Sequence, residues 1–245
     1  MDYVPGDDLA ALLMDREGPF PVGQVLAWGY QLLDVLHYLH TRKPPIIHRD
    51  IKPQNLKLQD DGKIMLLDFG LAKGYAGDVR PPTSESSLLA YTKGYAPPEQ
   101  VEGTGTDERS DLYALGATLY CLLTNVAPLE AQMRLLAAAR NRPEPLPTPH
   151  SLNPEVPEAI SDVVMQALAL DPGARPASAQ TFQQQLHAAQ ISSGLRVDTT
   201  PAPLVMPSVS EPTVIDGAPN TAGRTGTRSQ LPQRSGTAPF SETSQ

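Results

Sequence analysis

His48-Arg49-Asp50-Ile51-Lys52-Pro53-Gln54-Asn55, followed at short range by the apolar run Lys63-Ile64-Met65-Leu66-Leu67 and then Asp68-Phe69-Gly70, decides how this chain is read. One loop carries a candidate base (Asp50), a cation (Lys52) and a carbonyl-type metal ligand (Asn55), with a second acid, Asp68, close behind. An acid to receive a hydroxyl proton, a further acid plus an amide to hold a divalent metal, and a lysine for negative charge suit phosphoryl transfer. That reaction asks for positioning and charge stabilisation more than for covalent help.

Working outward, Leu56-Lys57-Leu58 and residues 63–67 flank Asp60-Asp61-Gly62, which reads as a tight hairpin turn. Such a hairpin would bring Asn55 and Asp68 close enough to share metal ions. Upstream, Val25, Trp28, Leu32, Leu36 and Leu39 recur at three- and four-residue steps, predicting a helix from Pro21 to Thr41 that Pro44-Pro45 stops. Met1 to Leu9 reads as a short extended piece broken at Pro5-Gly6, and a short helix is expected after it, through Met14. Downstream, Gly70 to Glu99 is long and polar. Leu112 to Thr124 is apolar nearly all round and so belongs in the middle of a core. Asp111 reads as its N-cap, and Cys121 as a small buried hydrophobe rather than a nucleophile. An amphipathic helix with a basic end is expected over Leu129 to Arg140, a proline-stiffened connection over Pro143 to Pro149, and two further helices over Pro157 to Leu170 and Ala179 to Ala189.

The 245 residues allow one large domain or two small ones, and 40% hydrophobic content is enough for a core. With 26 prolines and only 5% aromatic residues, some segment is not expected to pack. From Ile191 onward Ser, Thr, Pro and Gly dominate and no period survives. Residues 1–190 are therefore expected to form the domain and 191–245 a disordered tail. A formal net charge of −8 argues against a nucleic-acid partner. A single cysteine can form neither an internal disulfide nor a cysteine zinc cage, which fits a cytoplasmic location. No apolar run of ~18 residues offers a membrane segment in this chain.

H-R-D-I-K-P-Q-N and D-F-G stand in order here, followed by Thr92, by Pro97-Pro98-Glu99 (a variant of A-P-E), by Asp111 and by Arg175. That series resembles the large, C-terminal lobe of protein kinases, in wording most like the eukaryotic-like Ser/Thr kinases of bacteria. The resemblance covers about residues 1–190 and implies a mainly α (α+β) fold: a helical bundle with a small β-hairpin carrying the catalytic and D-F-G residues. It also implies Asp50 as the base, Lys52 on the γ-phosphoryl oxygens, and Asn55 and Asp68 holding magnesium on ATP. His48 and Phe69 pack rather than react. Asp2 and Val4 match the hinge that pairs with adenine, and Asp8 the acid that holds the ribose. Lys57 departs from the family, which places an apolar floor under the adenine there; its aliphatic stem can still cover the ring. Thr92 matches the threonine that bonds Asp50 and Lys52, Glu99 and Arg175 an anchoring ion pair, and Asp111 a brace for the catalytic loop. Arg49 marks the subclass ordered by activation-segment phosphorylation, with Thr83, Ser84, Ser86 and Ser87 as candidate acceptors. Thr213-Val214-Ile215-Asp216 has the pattern that FHA modules read when the threonine is phosphorylated.

A complete kinase also carries a glycine-rich lid, an upstream strand lysine and a helix glutamate. None of the three is found in these residues, and the resemblance begins at the hinge with the N-lobe absent. Two expectations follow. One is a Ser/Thr protein kinase lobe, weak or inactive without its missing partner lobe, acting on protein substrates. The other is a degenerate lobe serving as a non-catalytic scaffold.

Overall fold

In a computed structural model of the chain, residues 6–67 and 94–196 are described. Asp2, Val4, Asp68, Thr83, Ser84, Ser86, Ser87, Thr92 and Thr213 to Asp216 lie outside them.

Every residue from Ser110 to Thr124 is buried, and this run lies in α4 (Glu108–Thr124), against which two other long helices pack. On one side of α4 packs α2 (Val22–His40), on another α7 (Glu158–Ala167), and α8 (Ala179–Ser192) touches both α2 and α7. A helix apolar on all faces can be stable only with partners all round it, and α4 has them. Gly116 permits one of these contacts: a Cβ there would meet Ala167 Cβ of α7 at 2.8 Å. Within the core, Phe20 and Trp28 meet edge to face with ring centroids 5.0 Å apart.

The expected cap of α4 is corrected by the structure. Asp107, not Asp111, is the N-cap, in a capping box with Ser110. Asp111 falls in the first helical turn, where its carboxylate is available for other donors. The long helix α2 closes at His40, with Thr41 Oγ1 donating to His37 O at 2.9 Å, ahead of the two prolines. Beyond the expected end at Ala189, α8 continues to Ser192. Tyr30 donates to Gln190 Oε1 at 2.7 Å, and Leu195 packs on the core, so ordered contacts pass residue 190.

At the site end, β2 (Leu56–Leu58) and β3 (Ile64–Leu66) pair antiparallel as expected. Gly62, at φ 80°, closes the turn, and its N–H donates to Gln59 O at 2.9 Å. A third strand was not foreseen: β1 (Asp7–Asp8) joins the free edge of β2, giving the order β1-β2-β3. Gly6 makes that possible, because a Cβ there would lie 2.2 Å from Leu58 O. From α2, Gln31 Oε1 accepts the N–H of Ile64 at 3.1 Å, fixing the hairpin to the bundle. The short helices α1 (Leu9–Met14), α3 (Pro98–Glu102) and α6 (Pro149–Leu152), with α5 (Ala131–Ala139), complete the described part.

Candidate active site

Pro53 to Asn55 form a 3-10 turn that delivers the chain from the loop into β2, and the side chains cluster there. Lys52 Nζ lies 2.8 Å from Asp50 Oδ1. Asn55 Nδ2 donates to Asp50 Oδ2 at 2.8 Å and to Asp50 O at 2.7 Å. The carboxylate is thus clamped from both sides, and each oxygen keeps a lone pair for a further donor. Because its NH2 group is committed to Asp50, Asn55 presents its amide oxygen as the remaining donor atom.

Asp68 lies outside the described residues, but the residue before it is held twice by the loop. Leu67 N–H donates to Asn55 O at 2.8 Å, and Leu67 O lies 3.2 Å from His48 Nε2. His48 is fully buried, and its Nδ1 accepts the Asp50 N–H at 3.3 Å. Nε2 is therefore the protonated nitrogen, and the ring serves as a strut between Asp50 and Leu67, in keeping with its expected packing role.

Beneath the loop stands Asp111, fully buried. Its Oδ1 accepts the N–H of Arg49 at 2.8 Å, and its Oδ2 accepts the N–H of His48 and His40 Nε2, each at 2.9 Å. The expected brace is present, and His40 is a member that sequence reasoning missed. Only the eight-residue spacing to His48, across a helix end, ties the two in sequence, and that signal is weak. Two further partners were also missed. Gln100 Nε2 donates to Arg49 O at 2.8 Å, and Arg49 Nε donates to Thr106 Oγ1 at 2.8 Å.

Glu99 and Arg175 form the expected pair in bidentate geometry, at 2.7 and 2.9 Å. Arg175 also donates to the carbonyls of Ala169, Leu170 and Arg109, and it stacks on Tyr113, 4.9 Å from the ring centroid. Burial raises the Glu99 carboxyl, but the bonds from Arg175 and Ser110 outweigh it and leave the group below its ordinary value. Burial pushes the Cys121 thiol up, away from the reactive thiolate, as its reading as an inert core residue requires.

Asp8 and Lys57 are cross-strand neighbours, and Lys57 pairs in turn with Met65. The three side chains therefore share one face of the sheet, opposite the buried Leu56 and Leu58. Asp8 has a structural duty as well: its Oδ1 accepts the Ala11 N–H at 2.8 Å and caps α1.

Among the described residues no cluster of three His, Cys, Asp or Glu could hold a metal. No described helix is long and apolar enough to cross a membrane.

Residues 1–187 match the family model for the protein kinase domain. Two Myxococcus xanthus serine/threonine-protein kinases are similar. Pkn3 is 34% identical over 208 residues, covering 82% of this chain and 37% of that protein. Pkn1 is 35% identical over 193 residues, covering 77% of this chain and 27% of that protein. The chain therefore spans well under half the length of these relatives. Among solved structures, the PknI kinase domain of Mycobacterium tuberculosis superposes with a TM-score of 0.58 at 29% identity, covering 77% of this chain and 64% of that one. The mostly helical fold with its small three-stranded sheet is protein-kinase-like.

Proposed function

Because this chain belongs to the protein kinase family, we propose that it supplies the catalytic floor of a Ser/Thr protein kinase, which moves the γ-phosphoryl group of ATP to a protein serine or threonine. The observation that carries this reading is the convergence of Lys52 and Asn55 on the two oxygens of Asp50, each at 2.8 Å. In the proposal Asp50 accepts the proton of the acceptor hydroxyl as its oxygen attacks phosphorus, and ADP leaves. In the proposal Lys52 exchanges Asp50 for the γ-phosphoryl oxygens, a charge-assisted contact in either position. Asn55 and Asp68 offer only oxygen atoms, the donor set that Mg2+ takes. When bound, that ion would neutralise charge on the phosphates. The face shared by Asp8, Lys57 and Met65 is assigned to the nucleotide, with the stem of Lys57 beneath the adenine and the hinge residues Asp2 and Val4 at its edge.

Closure over the phosphates is assigned to a small lobe, since these 245 residues contain no G-x-G-x-x-G. The same observation favours a second reading, a non-catalytic scaffold built on a kinase lobe. To separate them, the chain is purified alone and fused behind a kinase small lobe, and Mg2+-dependent phosphorylation of a protein acceptor is measured with labelled ATP. The enzyme reading expects weak transfer alone, strong transfer from the fusion, and none from the Asp50→Asn fusion. Activity that survives Asp50→Asn would overturn the assigned base. A folded but inactive fusion would favour the scaffold.

A further inference from the structure

Helix α5 carries an apolar face that the other described residues leave exposed. Its buried positions are Ala131 and Arg134, and Arg134 fastens it: the guanidinium takes both oxygens of Glu144 at 2.9 and 3.0 Å and donates to Leu168 O at 2.8 Å. At 3.6 residues per turn, Met133, Leu136, Ala137 and Arg140 fall together on the opposite side, within an arc of roughly 100°. Met133 is 53% exposed and Leu136 44% exposed. Between this face and Arg142-Pro143-Glu144-Pro145 lies a groove of about 360 Å³, floored by Leu129, Met133, Leu136 and Pro143. Arg140 and Arg142 stand at its rim, both exposed. The one acid that lines it, Glu144, is already neutralised by Arg134. A chain of net charge −8 thus carries an apolar trough edged by two arginines that form no ion pair among the described residues.

We propose that this groove docks a short segment of the protein to be phosphorylated, one that presents two apolar side chains followed by carboxylates. The proposal rests on the kinase reading for the identity of the partner, but not for the binding itself. Apolar anchors would fill the space over Met133 and Leu136, and acidic groups would meet Arg140 and Arg142. A segment with lysines in place of the carboxylates would meet like charge at the two arginines, so the groove selects by charge as well as by shape. Docking away from the Asp50 cluster raises the local concentration of the acceptor hydroxyl without constraining the sequence around it.

The test uses the full chain without nucleotide, so that loss of catalysis and loss of docking are read separately. The probe is a labelled ten-residue peptide with two leucines three apart followed by three aspartates. An isomer with lysines in place of the aspartates is the comparison, and both are titrated by fluorescence anisotropy. The aspartate peptide is expected to bind saturably and the lysine isomer not to bind. Met133→Glu is expected to weaken binding at least about tenfold. R140E/R142E is expected to reverse the preference between the two peptides. Circular dichroism melts verify that these surface variants stay folded. Absence of binding, equal binding of the two peptides, or affinity unchanged in Met133→Glu would each overturn the proposal. So would sedimentation showing that the chain self-associates through this face in a way that Met133→Glu abolishes, since the occupant would then be a second copy.

Discussion

Arg49 holds φ at 68°, in the left-handed region, while its N–H donates to Asp111 Oδ1 at 2.8 Å. A non-glycine residue there is strained by about 1–2 kcal/mol. A hydrogen bond to a buried carboxylate contributes about 1.5–3 kcal/mol, enough to offset it. The turn at Arg49 is what brings Asp50 round toward Lys52 and Asn55. The geometry of the cluster therefore depends on an acid on α4 that touches none of its three side chains.

Asp111→Ala should accordingly do more than remove a carboxylate. It leaves the N–H groups of His48 and Arg49 and the Nε2 of His40 without their acceptor, two of them on a strained loop. We expect a loss of about 3–5 kcal/mol of stability by urea unfolding, in the range for breaking a buried charged network from one side. Asp111→Asn, which keeps one acceptor oxygen, should lose less. A loss under about 1 kcal/mol for the alanine variant would mean that the loop holds its shape without the brace.

Glu99 and Arg175 make a pH-dependent contribution whose sign is fixed. The Glu99 carboxyl lies below its ordinary 4.5 in the folded chain, so the pair stabilises fully above about pH 4.5. That contribution is lost as the pH falls through the folded-state value. Arg175→Met should cost about 3 kcal/mol at neutral pH, because it strands a carboxylate that is only 12% exposed. The double variant with Glu99→Gln should recover part of that loss and unfold with a shallower acid limb. Equal slopes below pH 4.5 in wild type and double variant would remove Glu99 from the acid transition.

The helices, the hairpin and the identity of the loop residues were legible because each rests on a local pattern. The stripe from Val25 to Leu39 and the all-round apolarity of 112–124 are visible along the chain. So were Glu99 and Arg175, through the motif series. What escaped depends on long-range closure. His40, Gln100 and Thr106 reach the loop only after α2, α3 and α4 have packed, and Gln31 clips a hairpin 33 residues away. Asp107 lost the cap to Asp111 in the sequence reading because the apolar run begins at Leu112. Its three-residue spacing to Ser110 was the available signal for a capping box. β1 escaped because two acidic residues carry no strand pattern, and Gly6 is needed to press them onto β2.

Gly116→Ala tests how tightly α4 is enclosed. The added methyl gains roughly 1 kcal/mol of helix propensity. It also meets Ala167 Cβ at 2.8 Å, with Leu168 Cγ 3.6 Å away, and neither is the far end of a flexible chain. Overpacking of this kind costs about 1–3 kcal/mol, so the net effect should be a loss of up to about 2 kcal/mol, read as a lower Tm. A stabilised variant would mean that α4 and α7 can separate freely.

Lys52 and Asn55 both bind Asp50, yet the two should separate in their effect on stability. The Lys52–Asp50 pair retains 15% and 22% side-chain exposure, so Asp50 keeps its Asn55 bond and can take up water when the lysine is removed, and Lys52→Ala should cost about 1 kcal/mol. Asn55 is nearly buried, and its NH2 group satisfies both a backbone carbonyl and a carboxylate oxygen. Asn55→Ala should therefore cost about 1–3 kcal/mol. If the kinase reading holds, both variants abolish transfer in the small-lobe fusion, Lys52→Ala while leaving the Tm almost in place. Loss of activity without loss of fold marks a residue kept for chemistry. A Lys52→Ala variant that melts as early as Asn55→Ala would instead make the lysine a structural strut and weaken its assignment to the γ-phosphoryl group.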